Sequence, residues 1–119
     1  MEDHHDQDFL DRAAAARERI NEIPAQGFLG SNEQYRVVLD VRETAEFDQA
    51  HLPGAVNLPL GRLNEHASAA LPDKDAPIAC YCNGGNRGAL ATEALQQMGY
   101  RNVVNIDGGL HAIERQKGQ

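Results

Sequence analysis

The stretch PIACYCNGGNRG at residues 77–88 decides the fold of this chain and carries most of the information about its function. Its first five residues, 77–81, indicate a short strand that runs directly into Cys82. A glycine-rich loop and an arginine follow, and a helix is predicted to begin near Gly88. This order places one thiol above backbone N–H groups and beside a helix N-terminus, and both surroundings favour an anion. A thiolate is therefore favoured over a thiol, and Cys82 is a candidate nucleophile.

Strands and helices alternate along the rest of the chain. Residues 35–41 are rich in Val and Leu without clean alternation, which indicates a strand buried on both faces. The other predicted elements are strands at 55–58 and 103–106 and helices at 43–50, 60–71, 88–98 and 110–117. This alternation predicts an α/β domain whose central, mainly parallel sheet is flanked by helices. Ligands of such sheets bind beyond the carboxyl ends of the strands, which is where Cys82 lies.

The N-terminal region is predicted to be separate from this sheet. Residues 1–8 are polar and form an acidic, flexible tail. A helical pattern follows over residues 9–23, since its apolar residues share one face and its alanines favour a helix. These apolar residues are Phe9, Ala13, Ala16 and Ile20. Pro24 and Gly27 end the helix, so the chain divides into a tail at 1–8, an N-terminal helix at 9–23 and one domain at 27–119.

Length and charge limit the classes of function. A chain of 119 residues fits one domain with one core. The formal net charge is -7, but residues 1–11 contribute five of the 18 acidic residues and none of the 11 basic ones, which leaves 13 acids and 11 bases. Because no basic stripe is present, we expect no nucleic-acid partner. The acidic balance, the lack of a long apolar run and the lack of a signal pattern predict a soluble, cytoplasmic protein that binds no membrane.

The two cysteines, Cys80 and Cys82, are separated by one residue. A disulfide between them would close a strained ring, so we predict free thiols in a reducing compartment. Within a strand, Cys80 would share a face with Cys82, either as a resolving thiol or as part of the core, and core packing is the favoured interpretation. The stretch DHHD at residues 3–6 is interpreted as a solvated part of the tail, and no metal site is predicted.

The loop after Cys82 is suited to holding an anion. Gly84 and Gly85 permit the backbone conformations that turn several N–H groups towards one point, and Arg87 adds a fixed positive charge. Two classes of cysteine enzyme use such a loop: in phosphatases the thiolate attacks phosphorus, and in sulfurtransferases it attacks a sulfane sulfur. From the loop alone, an inert buried cysteine between a strand and a helix is an equal alternative.

The spacing within the loop separates the two enzyme classes. Four residues lie between Cys82 and Arg87, whereas the usual phosphatase signature has five and a histidine before the cysteine. Here Tyr81 stands in the place of that histidine. The smaller ring suits a smaller centre than phosphate, so the spacing favours sulfur chemistry.

The flanking motifs resemble the rhodanese family of sulfurtransferases, specifically its single-domain members. The resemblance extends over residues 35–113 and rests on four motifs in the family's order: LDVRE at 39–43, HLPGAVNLP at 51–59, YCNGGNR at 81–87, and MGY at 98–100 with VVNIDGG at 103–109. Three positions depart from the family's pattern. Gly88 stands where serine is common, Ala50 where glycine often precedes the motif histidine, and Ile113 near the place of a common tryptophan.

The resemblance implies a three-layer rhodanese-like fold, here with an extra N-terminal helix, and the activity of a thiosulfate sulfurtransferase. Cys82 would be the catalytic nucleophile and carry a persulfide. Asp40 and Arg42 would support the substrate-binding loop, and Arg87 would bind the donor anion or hold the loop closed. The residues of this loop are Asn83, Gly84, Gly85, Asn86, Arg87 and Gly88.

In the implied reaction, the Cys82 thiolate attacks the outer sulfur of thiosulfate and releases sulfite, and an acceptor then removes the sulfur. The donor is a small sulfur-containing anion, the acceptor is cyanide, a dithiol or a protein thiol, and no metal or organic cofactor is required. Two alternatives stay open: a non-catalytic persulfide carrier or sensor that docks a partner, and a small cysteine-dependent phosphatase. The physiological donor and acceptor and the oligomeric state do not follow from the sequence.

Overall fold

A computed structural model of the protein describes residues 7–118, and within them five parallel strands form one sheet. The strands are β1 (Asn21–Pro24), β2 (Val37–Asp40), β3 (Val56–Asn57), β4 (Ile78–Tyr81) and β5 (Val103–Asp107), arranged in the order β1-β5-β4-β2-β3. The helices are α1 (Gln7–Arg17), α2 (Ala25–Ser31), α3 (Thr44–Gln49), α4 (Leu63–Ala70), α5 (Asn86–Gln97) and α6 (Gly109–Lys117). Two 3-10 turns, Asn32–Gln34 and Leu60–Arg62, complete the described elements.

The central strand β4 lies between β2 and β5 and leads into the cysteine loop. In the register of the sheet, Cys80 pairs with Leu39 on one side and with Asn105 on the other. All four residues of β4 are buried, because helices cover both faces of the sheet. The carboxyl ends of β2, β4 and β5 therefore meet at one edge, and the loops that follow them face the same space.

Two apolar cores lie on opposite faces of the sheet. One is formed by β4 with α4 and α5 and includes Cys80, Cys82 and Leu95. The other is formed with α2 and α6 and includes Tyr81 and Ile113. The predicted α/β architecture, with a parallel sheet between helical layers and an additional N-terminal helix, is confirmed.

Helix α1 packs on α5 through small residues. Ala13 and Ala16 are buried, and α1 contacts α5 along this face. Beyond the end of α1, Arg19 forms an ion pair with Glu93 of α5. The N-terminal helix therefore rests on the helix that begins at the cysteine loop.

The predicted helix at 9–23 is wrong in its bounds. The helix is α1, which starts earlier and ends earlier, and Asn21–Pro24 is the strand β1. This segment is extended because it pairs with β5, for example Ile23 with Ile106, and helical periodicity cannot reveal such a distant partner. A proline is tolerated here since β1 is an edge strand.

The sequence predicts a break after Pro24, but the structure has the helix α2 there. Gly27 lies inside this helix, where glycine costs about 1 kcal/mol relative to alanine. Burial of Ala25 and Phe28 in the core that α2 and α6 form against the sheet outweighs that free-energy cost. Because β1 belongs to the sheet, the sheet begins N-terminal to residue 27, where the domain was predicted to start.

The acidic tail predicted at residues 1–8 overlaps the first helix. Gln7 and Asp8 form part of the first turn of α1, where an acidic side chain is favourable. The remainder of the predicted tail, residues 1–6, lies outside the described residues. Among residues 7–118, no helix has the length and apolar character needed to cross a membrane.

Candidate active site

Cys82 lies immediately after β4 and is 2% exposed. Its Sγ atom accepts hydrogen bonds from the backbone N–H groups of Gly85, at 3.1 Å, and Gly88, at 3.2 Å. Gly85 is the N-cap residue of α5 and has a φ of 109°, in the left-handed region that glycine adopts without strain. The loop therefore turns two N–H groups onto one sulfur atom, an arrangement that stabilises negative charge there.

A small cavity of about 230 Å³ opens above this sulfur. Its wall brings together Cys82 with four of the six predicted loop residues and one residue from α6. The lining residues are Cys82, Asn83, Gly84, Asn86, Arg87 and His111. The other two predicted loop residues, Gly85 and Gly88, contribute the N–H groups that bind the sulfur.

His111 is a site residue that the sequence analysis missed. It lies in the first turn of α6, directly after β5, and its backbone N–H donates to the carbonyl of Asn83 at 3.0 Å. The neighbouring N–H of Leu110 donates to the carbonyl of Cys82 at 2.8 Å. The topology of the sheet could have indicated this residue. Helix α6 follows β5, a neighbour of β4, so it begins at the same edge of the sheet as the cysteine loop.

Arg87 forms a two-point ion pair with Glu46 of α3. Its Nη1 and Nη2 atoms donate to the two carboxylate oxygens at 2.8 and 3.2 Å. The hydrogen bond with Arg87 is the main reason why the pKa of Glu46 is lowered to about 2. Glu46 is therefore ionised at neutral pH, and the charge of Arg87 is balanced within the protein.

Glu46 was not identified from the sequence because it also has a purely local role. Its carboxylate accepts the backbone N–H of Glu43 at 2.9 Å and completes a capping box at the start of α3. A glutamate three residues into a helix is typical of such a cap. Only the packing of α3 against the cysteine loop shows that the same carboxylate binds Arg87 and accepts a hydrogen bond from Asn83.

Asp40 and Arg42 form a buried ion pair beneath the loop. Asp40 is 0% exposed and Arg42 is 5% exposed. The Nε of Arg42 donates to Oδ1 at 3.0 Å and its Nη2 donates to Oδ2 at 2.8 Å. The hydrogen bond with Asp40 is the main cause that raises the pKa of Arg42. Arg42 also donates to the carbonyl of Ala50, at 2.6 Å, so the pair ties β2 to the end of α3.

Asn83 connects this buried pair to the Arg87 pair. Its Oδ1 accepts a hydrogen bond from Nη1 of Arg42 at 3.1 Å, and its Nδ2 donates to Glu46 at 3.0 Å. Two ion pairs are thus joined through one side-chain amide next to Cys82. This network holds the first residue of the loop and the loop arginine in fixed positions.

Gly88 stands where serine is common in the family, and the structure gives a steric reason for the glycine. A Cβ atom on Gly88 would overlap Oδ1 of the fully buried Asn105. Asn105 in turn supports the loop, because its Nδ2 donates to the carbonyl of Gly85 at 3.2 Å and to Glu22 at 2.7 Å. The space that a serine side chain would need is therefore occupied by an asparagine from β5.

Cys80 has the surroundings of a core residue. It is fully buried beside Leu39 and Leu95, and burial is the main cause that raises its pKa to about 12. A thiol of this kind is a poor nucleophile at neutral pH. The structure therefore supports the interpretation of Cys80 as core packing.

Tyr81, which stands in the sequence where the phosphatase signature has a histidine, is buried. Its side chain lies in the core on the face opposite to Cys82, and its hydroxyl accepts the N–H of Leu52 at 3.1 Å. Burial is the main cause that raises the pKa of Tyr81. The residue supports Arg42, whose guanidinium lies 5.8 Å from the ring centre.

The described part of the chain, residues 7–118, contains no cluster of three or more His, Cys, Asp or Glu side chains that could hold a metal ion. The DHHD stretch at residues 3–6, which we interpreted as solvated, lies outside the described residues.

A family model described as "Rhodanese-like domain" matches residues 24–116, and the chain belongs to this family. The resemblance that the four sequence motifs indicated is confirmed, and the fold is rhodanese-like.

Two curated relatives carry different descriptions. "Thiosulfate sulfurtransferase PspE" of Escherichia coli (strain K12) is 40% identical over 79 residues, which cover 66% of this chain and 75% of PspE. "Putative sulfur carrier protein YrkF" of Bacillus subtilis (strain 168) is 32% identical over 94 residues, which cover 76% of this chain and 49% of YrkF. Homologues of this chain are thus described both as sulfurtransferases and as sulfur carriers.

One solved structure matches the full length of the chain. It is a protein of unknown function from Rhodopseudomonas palustris CGA009, described as a possible tyrosine phosphatase. The TM-score is 0.81, with 24% identity, and the match covers 100% of this chain and 98% of the other. At this level of identity the likeness shows the fold alone.

Proposed function

We propose that this protein is a thiosulfate sulfurtransferase that carries sulfane sulfur as a persulfide on Cys82. The observation that carries the proposal is the position of the Cys82 sulfur, which receives two backbone N–H groups at 3.1 and 3.2 Å beneath a cavity of about 230 Å³. These donors stabilise the thiolate that attacks, and they accommodate a small anion above it.

The reaction runs in two displacements. The Cys82 thiolate attacks the outer sulfur of thiosulfate, a new S–S bond forms, and sulfite leaves with the electron pair of the bond that breaks. A nucleophilic acceptor then attacks the outer persulfide sulfur, and the Cys82 thiolate leaves. Both leaving groups are anions, so neither displacement requires a metal or an organic cofactor.

The Asn83 network positions the loop for this chemistry. Arg42 and Glu46 hold the Asn83 side chain from two sides, and Glu46 also holds Arg87. Arg87 thus keeps the loop closed. Asp40 acts further away as the buried partner of Arg42.

A phosphatase is disfavoured by the protonation state of Glu46. Cleavage of a phosphate ester is assisted by a general acid that protonates the leaving oxygen. Glu46, the carboxyl group paired with Arg87, cannot serve as this acid, because its pKa is about 2. Displacement of sulfite from thiosulfate needs no such proton.

A persulfide carrier of the same fold is the second candidate, and the description of YrkF as a sulfur carrier supports it. A carrier would form the same Cys82 persulfide but transfer it only to a protein thiol. In either role, the donor is a small sulfur-containing anion, and the acceptor is cyanide, a dithiol or a protein thiol. A reducing compartment such as the cytoplasm would keep both cysteines free, as they are in the structure.

Intact-mass measurement after incubation with thiosulfate tests the proposal. We expect one added sulfur atom on the wild type and on Cys80→Ala, and none on Cys82→Ala. Thiocyanate should form when cyanide is then added. An adduct that reacts only with a protein thiol would favour the carrier. Absence of any adduct, or Cys82-dependent hydrolysis of an aryl phosphate, would contradict the sulfurtransferase.

A further inference from the structure

We propose that the imidazolium of His111 binds the anionic end of the sulfur donor and so determines the affinity of the Cys82 cavity for dianions. This inference rests on the proposed sulfurtransferase function and assigns a specificity role to a residue of α6. It makes His111 a binding residue that contacts the donor, whereas Arg87 serves mainly to hold the loop.

The charge balance of the cavity wall is the first argument. Of the lining residues, Arg87 and His111 can carry positive charge. Arg87 is paired at two points with Glu46, whose pKa of about 2 keeps the carboxylate ionised. Within residues 7–118, no carboxylate forms an ion pair with His111. A protonated His111 is therefore the uncompensated cation of this wall.

The fixed position of His111 is the second argument. Hydrogen bonds from the N–H groups of Leu110 and His111 to the carbonyls of Cys82 and Asn83 fasten the start of α6 to the loop. The approach is so close that a Cβ atom on Gly109 would overlap the carbonyl oxygen of Cys82. His111, whose side chain is exposed, thus lines the cavity from a backbone whose position relative to Cys82 is fixed.

The third argument is the arrangement of charged and titratable groups around α6, since among the described residues of the cavity wall only Cys82 and Arg87 besides His111 are of this kind. From the loop, the neighbouring groups are the Cys82 thiol and Arg87. Helix α2, which packs against α6, has the sequence AQGFLGS and carries no charged or titratable side chain. A further charged group is Arg17 of α1, whose guanidinium lies against Gly85 and is paired with Glu22. The others lie on β5 and on α6 itself and are exposed: Asp107, Glu114, Arg115 and Lys117.

Histidine changes charge between about pH 5 and 8, so donor affinity should depend on pH in this range. A charge-assisted hydrogen bond contributes a factor of about ten to a hundred in affinity. At a constant concentration of the cyanide anion, the KM for thiosulfate should therefore rise as the pH increases from about 6 to about 8.

Steady-state transfer from thiosulfate to cyanide tests this, with variants His111→Gln and His111→Lys. We expect the Gln variant to show a KM raised about ten-fold or more at pH 6 and no further rise at pH 8. The Lys variant should restore a low KM and make it independent of pH. His66→Gln is the matched control, since His66 is exposed on α4 and does not line the cavity. It should behave as the wild type.

A second measurement is independent of turnover. Sulfate should protect Cys82 from the neutral reagent iodoacetamide, and the Gln variant should need about ten times more sulfate for half protection. An unchanged KM and unchanged protection in His111→Gln would overturn the inference, even if the wild type forms its persulfide. Protection that depends on His111 in a protein that forms no persulfide would uphold the anion site and refute only the sulfurtransferase.

Discussion

The Sγ atom of Cys82 accepts the backbone N–H of Gly88, the third residue of α5, at 3.2 Å. In many helices that N–H is bound by the side chain of an N-cap serine, threonine or aspartate. The N-cap here is Gly85, which has no side chain to bind it. One sulfur atom is therefore both the reactive centre and the cap of α5, so stability and chemistry are linked at this position.

Loss of the sulfur atom that caps α5 should lower the free energy of unfolding. Cys82→Ala should lower the free energy of unfolding by about 1 kcal/mol, whereas Cys82→Ser should retain part of the cap and lose all persulfide formation. Urea unfolding followed by circular dichroism measures the first effect, and intact mass measures the second. Equal stability of the Ala and Ser variants would contradict the capping role.

The close approach of Gly88 and Asn105 predicts that the effects of substitutions at these two positions on stability are not additive. Gly88→Ala should destabilise the protein by about 1–3 kcal/mol and impair persulfide formation, because the new methyl group would overlap the Asn105 amide. Asn105→Ala should relieve part of this overlap, so the double variant should be more stable than the sum of the single effects predicts.

Gly84→Ala is the control for this experiment. Gly84 lies in the same loop, and a Cβ atom there would meet no atom within 4 Å. Its effect on the free energy of unfolding should stay within about 0.5 kcal/mol. If Gly84→Ala were as damaging as Gly88→Ala, general loop rigidity rather than overlap with Asn105 would be the cause.

Glu46 gives stability a specific dependence on pH. Its pKa is about 2 in the folded protein and near 4.5 in an ordinary glutamate, so the folded state prefers the ionised form. The stabilisation is complete above about pH 5 and is lost as the pH falls through 4.5 towards 2. Since Glu46 is partly exposed, solvent screening reduces the expected effect to about 1–2 kcal/mol.

Urea unfolding between pH 7 and pH 3 measures this effect. Glu46→Gln should be less stable than the wild type at neutral pH, and the difference should shrink as the solution is acidified. Glu33→Gln removes an exposed carboxylate far from the site and should leave the pH dependence unchanged. Parallel pH curves for the wild type and Glu46→Gln would rule out the ion pair with Arg87 as a source of stability.

The segment around Cys82 could be predicted because its information is local. An apolar strand, two glycines and an amphipathic helix follow each other within residues 77–98, and β4 and α5 form there. The strand β1 could not be predicted, since its four residues are extended only through pairing with β5, some 80 residues away. Glu46 and His111 were missed for the same reason, because α3 and α6 bring them to the loop through packing.

The buried pair of Asp40 and Arg42 provides the strongest test of how the loop is supported. Asp40→Ala should lower the free energy of unfolding by about 3–5 kcal/mol, because it leaves the Arg42 guanidinium buried without its carboxylate. Arg42 also binds Asn83, so the variant should also form the Cys82 persulfide more slowly. Asp73→Ala breaks the exposed pair with Arg36 and should change stability by less than about 1 kcal/mol, with no effect on persulfide formation. Replacement of both buried partners, as in Asp40→Leu with Arg42→Met, should recover much of the stability but not the rate of persulfide formation. A double variant that regains the full rate would show that Cys82 does not depend on the contact between Arg42 and Asn83.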